Sequence, residues 1–304
     1  MKAYLLLILA AIFYAGNLII GKPVTAEIPP ITLSFFRYII AAFVIFPLGY
    51  KEWKNNRALW KKEWKAILAL SVTGLVLFNI FVYLALNYTT TINAGIVEAS
   101  TPIFTLLLAF ILFGDRFTAK QLFGVFISLF GVFFVITKGS LEVITNLQIN
   151  IGDLIMLLAM VSWSVYSIFI KQHTWKFPTY GALLVMSVIA IILFIPLLPI
   201  EWEEIQQINW SWAIIGGTLY LGIFPSLIAL MAYNKGVQEL GPSRASIFLN
   251  LIPVFTMIGA VIFLKEQISF VQILGGLFVI IGGHDYKSDG EKEKQKYYGN
   301  RILT

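Results

Sequence analysis

Residues 101–132 read TPIFTLLLAFILFGDRFTAKQLFGVFISLFGV, and residues 252–283 read IPVFTMIGAVIFLKEQISFVQILGGLFVIIGG. Aligned without a gap, Pro102, Phe104, Asp115, Thr118, Gln121, Gly124 and Gly131 recur 151 positions later as Pro253, Phe255, Glu266, Ser269, Gln272, Gly275 and Gly282. Each copy is a pair of apolar runs joined at a charged turn, without the period-two alternation of a barrel strand. The repetition continues upstream at an offset of 149, where Tyr14 and Lys22 pair with Trp163 and Lys171. Phe46-Pro47-Leu48 pairs likewise with Ile195-Pro196-Leu197. Two homologous halves are expected, and a fixed internal offset decides the fold before any single motif does.

Outward from these copies, apolar runs bounded by charge, Pro or Gly lie at 3–21, 31–50, 66–86, 92–113, 120–137, 152–170, 179–199, 212–233, 245–264 and 268–283. Crossing a bilayer takes about 20 apolar residues, and lipid offers no partner to an open strand edge, so helices are expected. The reading is an all-α integral membrane protein with ten transmembrane helices, five in each half. Because five is odd, the second half enters the membrane from the opposite side, giving two inverted repeats. The divisions are 1–137 for the first repeat, 138–151 for a linker, 152–283 for the second repeat and 284–304 for a charged tail.

Composition agrees. Hydrophobic residues make up 59% of the 304 positions and charged residues 12%, against about 25% charged in soluble domains. Mean hydropathy is +0.83. No cysteine is present, which excludes disulfides and thiolate chemistry, and His173 and His284 are too few for a histidine metal centre. The net charge of +6 suggests nucleic acid until its distribution is read. Eighteen Lys and Arg fall on the side of the N-terminus; Lys22, Lys138 and Lys265 fall on the other, and Arg37 lies within a span. Positive residues mark cytoplasmic loops, so both termini are expected in the cytoplasm of a multi-pass plasma-membrane protein. Spread over five loops and tails, the charge makes no nucleic-acid footprint.

Arg37 and Glu98 are the charges deepest in the apolar runs, each about seven residues, or about 10 Å, from the outer end of its helix. A charge at mid-membrane costs about 2.5–3.5 kcal/mol, so each needs a cavity or a partner. Equal depth allows an Arg37–Glu98 ion pair. Alternatively Glu98 couples transport to protons or another cation, with Arg37 as counter-charge or as the binder of a substrate carboxylate. Other polar residues recur at helical spacing, which places each set on one face. These are Tyr14 and Asn17, Ser34 and Arg37, Asn79 and Tyr83, Glu98, Thr101 and Thr105, Trp163 and Tyr166, Ser226 and Tyr233, and Ser246 and Asn250. They describe either a central substrate cavity or interhelical hydrogen bonding.

Pro102 and Pro253 are expected mid-helix at equivalent positions and Pro225 within the eighth run, as hinges or static kinks. Asp115 and Glu266, followed by Thr118 and Ser269, are expected to cap the next helix. Gly16 to Lys22 fits a phosphate loop except that Pro23 replaces the Ser or Thr that binds magnesium, and no strand precedes it, so no nucleotide is expected. The loop 51–65, with Trp53, Trp60 and Trp64 among lysines, reads as a short amphipathic helix at anionic lipid or as a plain topology-setting loop.

The segments Thr90-Thr91-Ile92-Asn93-Ala94-Gly95, Thr101-Pro102-Ile103-Phe104, Leu112-Phe113-Gly114-Asp115-Arg116-Phe117-Thr118 and Gln121-Leu122-Phe123-Gly124 resemble the repeat signature of EamA-type drug/metabolite transporters. The second copy runs from Pro253-Val254-Phe255 through Lys265-Glu266-Gln267-Ile268-Ser269 to Gln272-Ile273-Leu274-Gly275. Phe36-Arg37-Tyr38 with Ala41-Ala42 resembles that family's second helix, while Asp115 and Glu98 depart from its usual residues. The resemblance implies ten helices and the export or exchange of small metabolites such as amino acids, nucleobase-like or amphipathic compounds.

The function expected is therefore secondary active transport by alternating access between the repeats, with or without coupling to protons, and a lipid flippase or an uncoupled facilitator is the alternative. An enzyme is not expected, because no convergent set of titratable groups lies in the membrane. Neither is a cofactor.

Overall fold

The computed structural model describes residues 2–113, 119–140, 149–173, 176–240 and 248–282. Its elements are helical, as an apolar chain that must satisfy its own backbone in lipid requires. Three helices open the chain: α1 (Lys2–Thr25), α2 (Pro30–Asn55) and the short α3 (Arg57–Lys62). The third run is α4 (Trp64–Leu70), a π-helical stretch Ser71–Leu77 and α5 (Phe78–Tyr88). The fourth is broken into α6 (Thr91–Glu98) and α7 (Thr101–Phe113), and the fifth is α8 (Ala119–Ile136).

The second half repeats the order. It contains α9 (Ile151–His173), then α10 (Thr179–Phe194), a 3-10 stretch Ile195–Glu201 and α11 (Trp202–Gln206). Next come α12 (Trp212–Ile223), a π-helical stretch Phe224–Ala229 and α13 (Leu230–Leu240). A 3-10 turn Phe248–Leu251 leads into α14 (Ile252–Leu264), and α15 (Phe270–Gly282) follows. Among the described residues six stretches are long and apolar enough to cross a membrane: Ala3–Thr25, Pro30–Asn55, Trp64–Tyr88, Ile151–Ile170, Thr179–Gln206 and Trp212–Tyr233. Large apolar side chains such as Phe43, Phe126, Phe263 and Phe270 stand exposed on the outside, as a lipid-facing surface requires.

The halves interlock, and their contacts come in pairs related by the sequence repeat. Helix α1 packs on α14, and its counterpart α9 packs on α7; α1 also packs on α12 and α13, as α9 does on α5. Helix α2 lies along its own counterpart α10, and α6 against α14. Helices α8 and α15 meet through glycines: a Cβ on Gly131 would lie 2.7 Å from the Gly275 carbonyl, and one on Gly282 would lie 2.4 Å from the Gly124 carbonyl. These two contacts exchange when 151 is added to or subtracted from each residue number. Ser128 Oγ bonds the carbonyl of Val279, its own equivalent.

The helix ends are closed across the halves in the same way. Glu201 accepts the N–H groups of Ile31 and Thr32 at the start of α2, and Glu52 accepts the N–H of Gly181 at the start of α10. Glu52 and Glu201, like Thr32 and Gly181, are 149 residues apart. A carboxylate there meets both the free N–H groups and the positive end of the helix dipole.

Several expectations are corrected. Glu266 does not cap the helix that follows it; it accepts from Thr91 and Ile92 N–H at the start of α6. Ser269 and Gln272 cap α15 instead by reciprocal hydrogen bonds. Asp115 lies outside the described residues. Pro102 and Pro253 are not mid-helix: each sits in the first turn of its α-helix, Pro102 after the break and Pro253 after the 3-10 turn. Residues 16–22 lie within α1, in keeping with the dismissal of a phosphate loop there, and Lys22 Nζ bonds the carbonyls of Leu86 and Thr89 at the end of α5.

Candidate functional site

Two prolines shape the interior. Pro102 cannot donate to the carbonyl of Glu98, and the fourth run opens at Ala99–Ser100. The Thr101 hydroxyl takes over the freed Glu98 carbonyl at 2.6 Å, and Ser100 Oγ bonds the Val97 carbonyl at 2.6 Å. Pro225 leaves the carbonyl of Leu221 without its donor, and the adjoining Ser226 hydroxyl fills it at 2.7 Å. The widened turn of the third run has another cause. Ser162 bonds the Thr73 carbonyl and Asn79 the Leu75 carbonyl, each at 2.8 Å, so side chains enter the backbone ladder.

On this scaffold Arg37 is buried, 5% exposed, and held by neutral acceptors from three directions. Its Nε donates to Ser226 Oγ, and its Nη1 to Asn79 Oδ1 and Tyr83 Oη, each at 2.5 Å. Tyr83 passes its own proton to Asn17 Oδ1 at 2.9 Å, and Asn79 donates to Tyr38 Oη at 2.7 Å. The guanidinium carbon lies 5.7 Å from the ring centroids of both Tyr38 and Tyr83. Four of the expected cavity residues, Asn17, Asn79, Tyr83 and Ser226, are thus spent in holding one cation between α1, α2, α5 and the eighth run.

The Arg37–Glu98 ion pair does not form. Depth along a helix fixes height and not the direction a side chain faces: α2 packs chiefly on α10 and α12 and α6 chiefly on α14 and α9, although both also touch α1 and α5. Glu98 is instead the last residue of α6, partly exposed, with its Oε2 buried and without a hydrogen-bond partner. The buried Tyr14 hydroxyl also lacks one. That hydroxyl is within Coulombic range of Tyr166, Tyr233, Glu98 and Arg37. Trp163 stands against both Tyr166 and Phe78, with ring centroids 4.8 and 4.6 Å away, and Gly74 leaves room for the Tyr166 ring. Thr101 is buried below the break, bonded to the Glu98 carbonyl and to Met160 Sδ at 3.0 Å. Asn250 is buried in the 3-10 turn before α14.

The expected set therefore divides into a hydrogen-bonded group around Arg37 and a second group of Tyr14, Glu98, Trp163, Tyr166 and Tyr233 outside that network. The latter joins α1, α6, α9 and α13, two helices from each half. A model of the EamA-like transporter family matches residues 1–137 and again 150–283. The chain belongs to the EamA-like transporter family. The transporter is 29% identical over 288 residues to the uncharacterized transporter YyaM of Bacillus subtilis strain 168, covering 93% of this chain and 92% of that one. It is 27% identical over 282 residues to an uncharacterized transporter of Archaeoglobus fulgidus, covering 92% and 96%. A protein of known crystal structure superimposes with a TM-score of 0.63 at 20% identity, over 92% of this chain and 94% of the other, a likeness of fold alone.

Sequence reasoning missed other buried carboxylates of this transporter. Asp153, 1% exposed at the start of α9, accepts from Thr89 Oγ1 and from Asn93 Nδ2 at 3.3 Å. Glu201 is 7% exposed. Both are hydrogen-bonded, so the distinction of Glu98 is its lack of a partner and not its burial. The recurrence of Glu52 as Glu201 was a signal available in the sequence at the offset that pairs Tyr14 with Trp163.

Proposed function

We propose that the chain is a secondary active transporter that exports or exchanges small metabolites across the plasma membrane. It crosses ten times, with both termini cytoplasmic, and alternates access between two inverted repeats. Contacts that pair through the repeat offset support this reading, since a structure that maps onto itself has a second, equivalent state in which the roles of the halves are exchanged. Residues Tyr14, Glu98, Trp163 and Tyr166, from both halves, form the central site. The proline-broken turns at Ala99–Ser100 and Phe224–Ala229 are the flexing points.

One observation carries coupling to Glu98: a carboxyl oxygen buried without a partner at the C-terminal end of a half-helix. The negative end of the dipole disfavours a bare carboxylate there, so the group is stable when it holds a proton or another cation, and ionises when the site opens to water. Proteoliposomes under an imposed pH gradient test this with a labelled metabolite panel. Glu98→Gln should lose gradient-driven accumulation and keep counterflow exchange. Unchanged accumulation rejects coupling through Glu98 and leaves a facilitator or exchanger.

A further inference from the structure

Resting on the transporter reading above, we infer that the Glu98 face takes organic cations: an ammonium head on an aromatic or apolar body, without a carboxylate. The acidic group of this site stands without an ion-pair partner. Glu98 Oε2 is buried and unpartnered, and the residue closes α6, so its carboxylate stands beside the negative end of that half-helix. Arg37, the basic side chain that equal depth would have offered, is committed to Ser226, Asn79 and Tyr83. Lys22 is committed to the carbonyls that end α5. Among the described residues no Lys or Arg forms an ion pair with Glu98.

The neighbours suit a cation as well. Tyr14 lies near the carboxylate and packs with Tyr233, Trp163 lies against Tyr166, and aromatic faces attract an ammonium group more strongly when water is excluded. The Tyr14 hydroxyl has no partner and is free to bond a bound molecule. A ligand carboxylate in the same place would meet Glu98 and the end of α6 at short range, in surroundings that screen charge poorly. An amine lacking a carboxylate avoids that repulsion, which separates it from an amino acid.

Calorimetry on the intact transporter in nanodiscs, with four probes that share a phenyl group, tests the inference. Phenethylamine should bind at least tenfold more tightly than 2-phenylethanol, 3-phenylpropionate or phenylalanine. Glu98→Gln should weaken the amine at least tenfold and leave the alcohol within twofold, while Glu98→Asp keeps the amine preference. If Glu98→Gln does not purify as a folded protein, the wild-type ranking and Glu98→Asp decide.

An absent preference, or one that survives Glu98→Gln, overturns the inference. Tighter binding of phenylalanine or phenylpropionate that disappears in Arg37→Ala also overturns it and moves charge recognition to Arg37. Counterflow of a metabolite panel in proteoliposomes separates the two levels. Exchange with no amine preference rejects this inference alone, and exchange of no solute at all rejects the transporter reading beneath it.

Discussion

Removing Glu201 should cost the fold about three times as much as removing Glu52, although the two residues are repeat equivalents. Glu201 Oε1 accepts from Ile31 N at 2.9 Å, and Oε2 accepts from Thr32 N and Thr32 Oγ1 at 2.8 Å. Glu52 Oε2 accepts from Gly181 N alone, at 2.7 Å. A hydrogen bond to a charged group contributes about 1.5–3 kcal/mol in soluble proteins, but membrane-protein cycles average about 0.6 kcal/mol, so about 1 kcal/mol per bond is a fair middle value. Three bonds against one give about 3 kcal/mol for Glu201→Ala and about 1 kcal/mol for Glu52→Ala. Glu201→Gln should fall between, because its amide keeps one acceptor and turns a donor toward the Thr32 donors. Equilibrium unfolding in mixed micelles, followed by circular dichroism, measures all three variants. Equal costs for the two alanine variants, or less than about 0.5 kcal/mol for Glu201→Ala, would refute the cross-half capping argument.

Two further outcomes follow from the packing and the charge distribution. Gly131→Ala forces a Cβ to within 2.7 Å of the Gly275 carbonyl, where backbone must move, and should destabilise by about 1–3 kcal/mol. The same change at helical Gly216, with nothing within 4 Å, should be neutral or stabilising in the same unfolding assay. Alkaline phosphatase fused after Tyr286 should be inactive and fused near Glu203 active; the opposite pattern rejects cytoplasmic termini.

The helical architecture was legible because it rests on apolar run length and on a repeat offset, both of which survive without tertiary information. The break in the fourth run was not read, although Glu98-Ala99-Ser100-Thr101-Pro102 interrupts the apolar run there, because its cause is local: Pro102 removes one donor and the hydroxyls of Ser100 and Thr101 make the open turn tolerable. The Arg37–Glu98 pairing failed for a geometric reason, because counting residues from a helix end gives depth and leaves azimuth undetermined. Helical spacing did bring Asn79 and Tyr83 onto one face, as read. What that face meets, an arginine rather than a substrate, depends on how α2 sits between α5 and α12, which no single-helix pattern encodes.

Alternating access requires the Glu98 group, drawn from both halves, to open in turn to the two sides of the membrane. The chain has no cysteine, so Tyr14→Cys supplies a single reporter beside Glu98. In sealed vesicles of each orientation, a membrane-impermeant thiol reagent should label that cysteine from both sides, each rate rising or falling as a pH gradient shifts the resting state. Labelling from one side only under every gradient, or from neither, would contradict alternating access at this site.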